Sequence, residues 1–306
     1  MAANISIDND DSIFVSSTNN YTSQNPQTIT TTLQQGNFRS LLRFRIDAGD
    51  STLASHLSTA SKAATYISKT TQNELIEICG NFIREHIINE IKHAKFFTVI
   101  GDETTNVSDI EQFTFCLRYV FEDKVQEKFI SFLPAEDRTG EDLARLILEE
   151  LTNLGLDPNF MVGQAYDGCS AMSGQFNESI TFYEAYLPSP SSIQEEFQLY
   201  QRKWLNEAPA DRPNNAIDAY IKCNGIFFPN IKVLLQIYAT LPVTTATGER
   251  SFSTLKLVKS YLRSTMSESR LNGLAMMYVH STIDNDIEKV IDKFSKQKNR
   301  KLEFNI

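Results

Sequence analysis

The sequence predicts an α/β (α+β) fold, a mixed sheet with flanking helices followed by an all-helical C-terminal region. Three observations carry this. Apolar residues recur at spacings of three and four over 71–92, then give way to a nearly continuous apolar run, "KFFTVIGDETT". Two period-two runs follow, "EQFTFCLRYVF" and "KVQEKFISFLP", with little more than "EDK" between them. From residue 215 onward every apolar segment has helical spacing.

Taken in order, residues 1–35 are rich in Ser, Thr, Asn and Gln without a sustained period. They read as a polar disordered tail, because such a composition buries too little apolar surface to offset chain entropy. In the first helix Leu75, Ile76, Cys79, Phe82, Ile83, Ile87 and Ile91 form one stripe. "KFFTVIGDETT" reads as a central strand covered on both faces, with Asp102 at or just past its end. The two alternating runs predict an antiparallel hairpin. "TGEDLARLILEELTNLGL" predicts a helix capped by Thr139, with Glu141 and Asp142 in its first turn and Leu143, Leu146, Ile147, Leu151 and Leu154 buried. "NFMVGQAYDGCSAMSG" reads as a further strand opening into a loop at Asp167. The Pro-rich breaks "LPSPSS" and "EAPADRPNN" flank one Glu- and Gln-rich helix, Ile193 to Asn206, that carries Trp204, and they place a boundary near 175–190.

The organisation expected is therefore a tail over 1–35, a sheet-bearing region over 36–180 and a linker over 181–214. A helical region over 215–290 and a charged tail over 291–306 complete it.

The 306 residues carry a formal net charge of −9, and the isoelectric point is near 5.1. That excludes a whole-surface nucleic-acid binder, which needs clustered Lys and Arg to neutralise phosphates. No apolar run reaches the length of a membrane span and the N-terminus has no signal-peptide pattern, so the expectation is a nuclear or cytoplasmic protein. The cysteines have no zinc-type spacing and read as reduced thiols. The histidines His56, His86, His93 and His280 read as ordinary surface or boundary residues.

Carboxylates at the ends of two neighbouring strands converge, and clustered carboxylates can hold two Mg²⁺ ions for in-line phosphoryl transfer. Asp102 and Asp167 are the candidates, with Glu103 a lesser one. Taken alone each aspartate fits a turn former or cap better than a catalytic residue. Glu249, at the start of a helix, gains about 0.3–1 kcal/mol from the helix dipole without any catalytic role.

Five segments weigh on these alternatives: "GNFRSLLRFRIDAGDSTLASHL", "YISKTTQNELIEICG", "FFTVIGDETTNVSDIEQFTFCLRYV", "GLDPNFMVGQAYDGCSAMSGQFN" and "LPVTTATGERSFSTLKLVKSYLRSTMSESRLNGLAMMYVH". Together they strongly resemble the hAT-superfamily transposases, in the lineage of zinc-finger MYM-type and interferon-induced-kinase-regulator-like proteins. The resemblance implies an RNase H-like catalytic region that cuts and joins DNA with two divalent metals, Mg²⁺ or Mn²⁺. It also implies an acidic triad, Asp102, Asp167 and Glu249, as both catalytic residues and metal ligands. The C-terminal part of the family pattern implies dimerisation, as a homodimer or with related transposase-like proteins.

The stretch from Asp167 to Glu249 is too short for the insertion such proteins usually carry. The expectation is an internally truncated core, without its last strand, whose Glu249 is tethered to its partners only by a flexible or rebuilt connection, with catalysis and DNA binding ancestral. No cofactor is then required. A decaying element copy without a selected role is a further reading.

The last two predicted helices form the expected dimer interface. Phe252, Leu255, Val258 and Leu262 line one helix, and Leu271, Leu274, Met277 and Tyr278 line the next. The second is apolar on most faces and must be covered on two sides, by its own domain or by a second subunit. Lys256, Lys259, Arg263 and Arg270 add a basic strip that reads as a solvated face.

Overall fold

The structure is a computed structural model that describes residues 7–8, 12–13, 36–61, 64–105, 111–134, 140–165, 182–242, 246–258 and 266–297. Of the expected tail, only the short pair β1 (Ile7–Asp8) and β2 (Ser12–Ile13) falls among them. Helices α1 (Asn37–Asp47) and α2 (Ser51–Thr59) follow and bury no residue. Helix α3 (Lys69–Ala94) begins at Ser68, whose side chain accepts the Thr71 N–H, an N-cap.

The central sheet is mixed, as predicted. Strands β3 (Phe97–Thr105), β4 (Glu111–Phe121), β5 (Lys124–Pro134) and β6 (Met161–Ala165) lie in the order β5-β4-β3-β6. β3 and β4 are antiparallel, as are β4 and β5, while β6 runs parallel to β3. The hairpin turns at Glu122 and Asp123, both with positive φ, as the right-handed twist of a tight hairpin requires.

Strand alternation and register define the two faces. Phe97, Val99, Phe113, Phe115, Leu117 and Tyr119 look toward α3, where the Tyr119 hydroxyl donates to Glu90 at 2.5 Å. Helix α4 (Gly140–Asn153) belongs to the same layer; Ile147 and Leu151 enter the core, and Glu150 accepts from Ser131 at 2.8 Å. Thr139, its expected cap, lies outside the described residues. The opposite face carries Thr98, Ile100 and Asp102 beside Thr114, Cys116 and Arg118.

That second face is covered by the C-terminal half. Within the segment read as a linker, the helix expected at 193–206 is present as α5 (Ile193–Asn206), whose Ile193 and Tyr200 are buried. With α6 (Ala216–Lys222) and α7 (Pro229–Thr240), α5 builds a second core on Phe96 and Val162. The Glu196 carboxylate accepts the Ile231 N–H at 2.8 Å and so caps the start of α7 from outside. Helix α8 (Ala246–Val258) then crosses β3 and β4, and α9 (Glu268–Val279) packs between α3 and β5. Helix α10 (Ile287–Lys296) extends into the expected charged tail, because Val290 and Phe294, one turn apart, bury against Ile78 and Tyr66.

Candidate functional site

Two places gather the residues that sequence reasoning singled out. The first is the polar end of the sheet face under α8. Asp102 lies inside β3 rather than past its end, half-buried and paired in register with Thr114. The parallel pairing of β3 with β6 runs to Ile100 and Ala165, so Asp102 stands two positions beyond its last pair. Asp167 stands two positions beyond Ala165 in the sequence and lies outside the described residues.

Gly248, in the first turn of α8, meets Asp102 directly. A Cβ added there would sit 3.1 Å from the Asp102 Cβ, so any larger residue would have to push helix and strand apart by a few tenths of an ångström. Glu249 is the next residue of that helix, and its side chain lies outside the described residues. Beside Asp102 on the same face, Thr114 Oγ1 and Gln112 Oε1 are buried and meet no hydrogen-bond partner among the described residues.

Helix α8, which carries Glu249, is held on the sheet by several bonds. Thr247 donates its hydroxyl to Glu127, and Arg250 donates to Thr247 at 2.9 Å. Glu127 also pairs with Arg118 at 2.5 Å, and Arg118 reaches the Ala239 carbonyl at 3.0 Å. Further along, Ser251 approaches Cys116 at 3.9 Å, and Leu255 and Val258 enter the core. Burial pushes the Cys116 thiol up to about 12, so it stays neutral. Among the described residues no three His, Cys, Asp or Glu side chains are grouped so as to hold a metal ion.

The second place is the pair α8 and α9, and it divides the expected interface. Leu255 and Leu271 are core residues of this chain and leave no surface for a partner, and Val258 is buried except where it edges the groove between α8 and α9. The physical reason is that α9 is held against two elements at once. It crosses α3 at backbone contact, where a Cβ on Gly80 would lie 2.7 Å from Gly273 Cα. It also seals the outer edge of β5: Asn272 accepts the Phe132 N–H at 2.8 Å and donates to the Phe132 carbonyl at 3.1 Å.

His280 completes this seal and is buried, not a surface residue. Its Nε2 donates to the Phe129 carbonyl at 2.7 Å, and burial holds its pKa below the ordinary value. His86 and His93 also have partners, Glu90 at 3.3 Å and the Asn89 carbonyl at 2.7 Å.

What remains facing outward is a shallow apolar groove between the two helices, lined by Leu257, Val258, Leu274, Met277 and Tyr278. Tyr278 is 57% exposed and Leu257 63% exposed, while Leu274 and Met277 are half-buried. Leu257 was missed by the stripe reading, because it falls off the face shared by Leu255 and Val258. The Phe252 side chain and Leu262 lie outside the described residues.

Comparison with known proteins finds two family matches along the chain. Residues 23–178 match the family described as ZMYM1/FAM200, RNase-like domain. Residues 201–283 match the hAT family C-terminal dimerisation region. The chain is 33% identical over 141 residues to the 52 kDa repressor of the inhibitor of the protein kinase of Homo sapiens, covering 45% of this chain and 18% of that protein. The Mus musculus protein of the same name is 31% identical over 141 residues, with the same coverage. The match thus spans under a fifth of the length of these curated relatives. No solved structure matches the chain. The four-stranded mixed sheet, the helical C-terminal region and these two matches together place the chain in the hAT-transposase-derived family that carries the ZMYM1/FAM200 RNase-like domain.

Proposed function

We propose that this chain works as a self-associating module, a homodimer or a heterodimer with related transposase-like proteins, through the groove between α8 and α9. The observation that carries this is the groove itself: Leu257, Leu274, Met277 and Tyr278 stay accessible on helices whose other faces are already buried. Aromatic residues and Met are enriched at the centres of protein interfaces. The groove also lies within the residues matched to a dimerisation region. Sedimentation velocity over a range of concentrations tests the reading. Leu274→Asp and Tyr278→Asp are expected to give the monomer mass, and Asp102→Asn to associate like the unaltered chain.

A second reading is divalent-metal-dependent cleavage and joining of DNA by Asp102, Asp167 and Glu249. It is favoured by the approach of Gly248 to Asp102, which brings the helix position next to Glu249 against that strand. The buried Thr114 hydroxyl beside Asp102, without a partner among the described residues, fits a polar site. Mg²⁺ or Mn²⁺ held by the three carboxylates would activate water and stabilise charge on the phosphoryl oxygens. Nicking of duplex DNA that requires Mg²⁺ or Mn²⁺, and that Asp102→Asn and Glu249→Gln each abolish, is the expected result. Nicking that persists in either variant sinks the reading.

A further inference from the structure

We propose that the groove between α8 and α9 receives the loop 223–228 of a second copy of this chain, with Ile226 and Phe227 as the inserted side chains. This rests on the self-association reading above and names the surface that meets the groove.

Ile226 is 88% exposed and Phe227 74% exposed, the two highest values among the large hydrophobic side chains described. They are displayed by a fixed turn. The Asn224 side chain accepts the Ile226 N–H at 2.9 Å, and the Asn224 carbonyl accepts the Phe228 N–H at 2.9 Å. Phe228 itself is anchored inward, its ring edge-on to Tyr200 at 5.2 Å. A pair of apolar side chains held outward on an ordered turn binds without the entropy cost of ordering a mobile loop.

The two surfaces suit each other. The loop "CNGIFF" carries no charge, and neither do Leu257, Val258, Leu274, Met277 and Tyr278, so no ionised group is stranded when they meet. The loop projects and the groove is concave, and Met277 adapts its shape to an aromatic ring. Both are exposed, so they do not meet within one chain. Both fall within the residues matched to the dimerisation region. When each copy inserts its loop into the groove of the other, loop meets groove twice across a two-fold axis, and the contact closes as an isologous dimer.

Association of the full chain, measured by sedimentation velocity with circular dichroism as a folding check, tests this. Phe227→Asp sits on an exposed turn and is expected to fold normally while weakening association by about thirtyfold or more, as loss of an interface anchor does. Tyr278→Asp is expected to do the same from the groove side. An equal mixture of the two variants is expected to regain association, since the intact loop of one fits the intact groove of the other. Normal association of Phe227→Asp beside a monomeric Tyr278→Asp overturns the loop as partner and leaves self-association standing. A mixture that associates no better than its components also overturns it. Normal association of both variants removes the groove reading as well.

Discussion

The two faces of α9 put similar residues to different uses. Leu271, Ala275 and Met276 look inward and are sealed by α3 and β5, while Leu274, Met277 and Tyr278 look outward beside Leu257. Neither the residue types nor their spacing separates the two sets. What separates them is where the helix is pinned, at the Gly80–Gly273 crossing and at the Asn272 bonds to β5. The lesson is that an apolar helix can bury one face and leave another open, and only the backbone contacts say which face is which.

Substitutions on the inward face should act on stability and those on the outward face on association. Leu271, 2% exposed, carries the largest expected effect. Leu271→Ala is expected to cost about 2–5 kcal/mol in urea unfolding. A loss below 1 kcal/mol would mean this face of α9 is not part of the core. Asn272→Ala leaves the Phe132 N–H and carbonyl at the sheet edge without their partner. The expected loss is about 1–3 kcal/mol, and Asn272→Ala matching the unaltered chain in the same assay would show that the edge is sealed by other means.

His280 gives the comparison a pH signature. Burial lowers its pKa, with Lys128 acting in the same direction and the Phe129 carbonyl and Glu90 opposing. Its folded pKa lies below the unfolded value, so its contribution is complete above pH 6.5 and is lost as pH falls below it. Melting temperatures from pH 7.5 down to 5.5 should fall more for the unaltered chain than for His280→Gln. Equal slopes would remove His280 from the seal. Tyr278→Ala, on the outward face, is expected to change unfolding stability least, by about 0.5 kcal/mol or less. A larger loss would move Tyr278 into the fold's own packing.

Much of the α/β part was legible in the sequence because its signals are local. The strand run at 95–105, the hairpin around Glu122 and Asp123 and the helix stripe from Leu75 to Ile91 each declare their period without reference to anything distant. In the segment 181–214 the helix over 193–206 was legible, but its packing was not, because α5 is held by a contact far along the chain, Glu196 with the start of α7. The burial of His280 and Asn272 depends on a sheet edge more than a hundred residues earlier, visible only once α9 is placed. At Asp102 the sequence identified the residue but not its neighbour. The bond of Thr247 to Glu127 and the bare backbone of Gly248 bring α8 to it, and glycine in a helix start carries no such message by itself.

The central claim is that the groove of Leu257, Leu274, Met277 and Tyr278, and not the Asp102 end of the sheet, is where this chain meets a partner. Light scattering of the unaltered chain, Tyr278→Asp and Asp102→Asn across a concentration series tests it most directly. The account predicts a mass rising toward the dimer for the unaltered chain and for Asp102→Asn, with Tyr278→Asp remaining at the monomer mass. A Tyr278→Asp chain that dimerises like the unaltered one, or an unaltered chain that stays monomeric at the highest concentration, would contradict it.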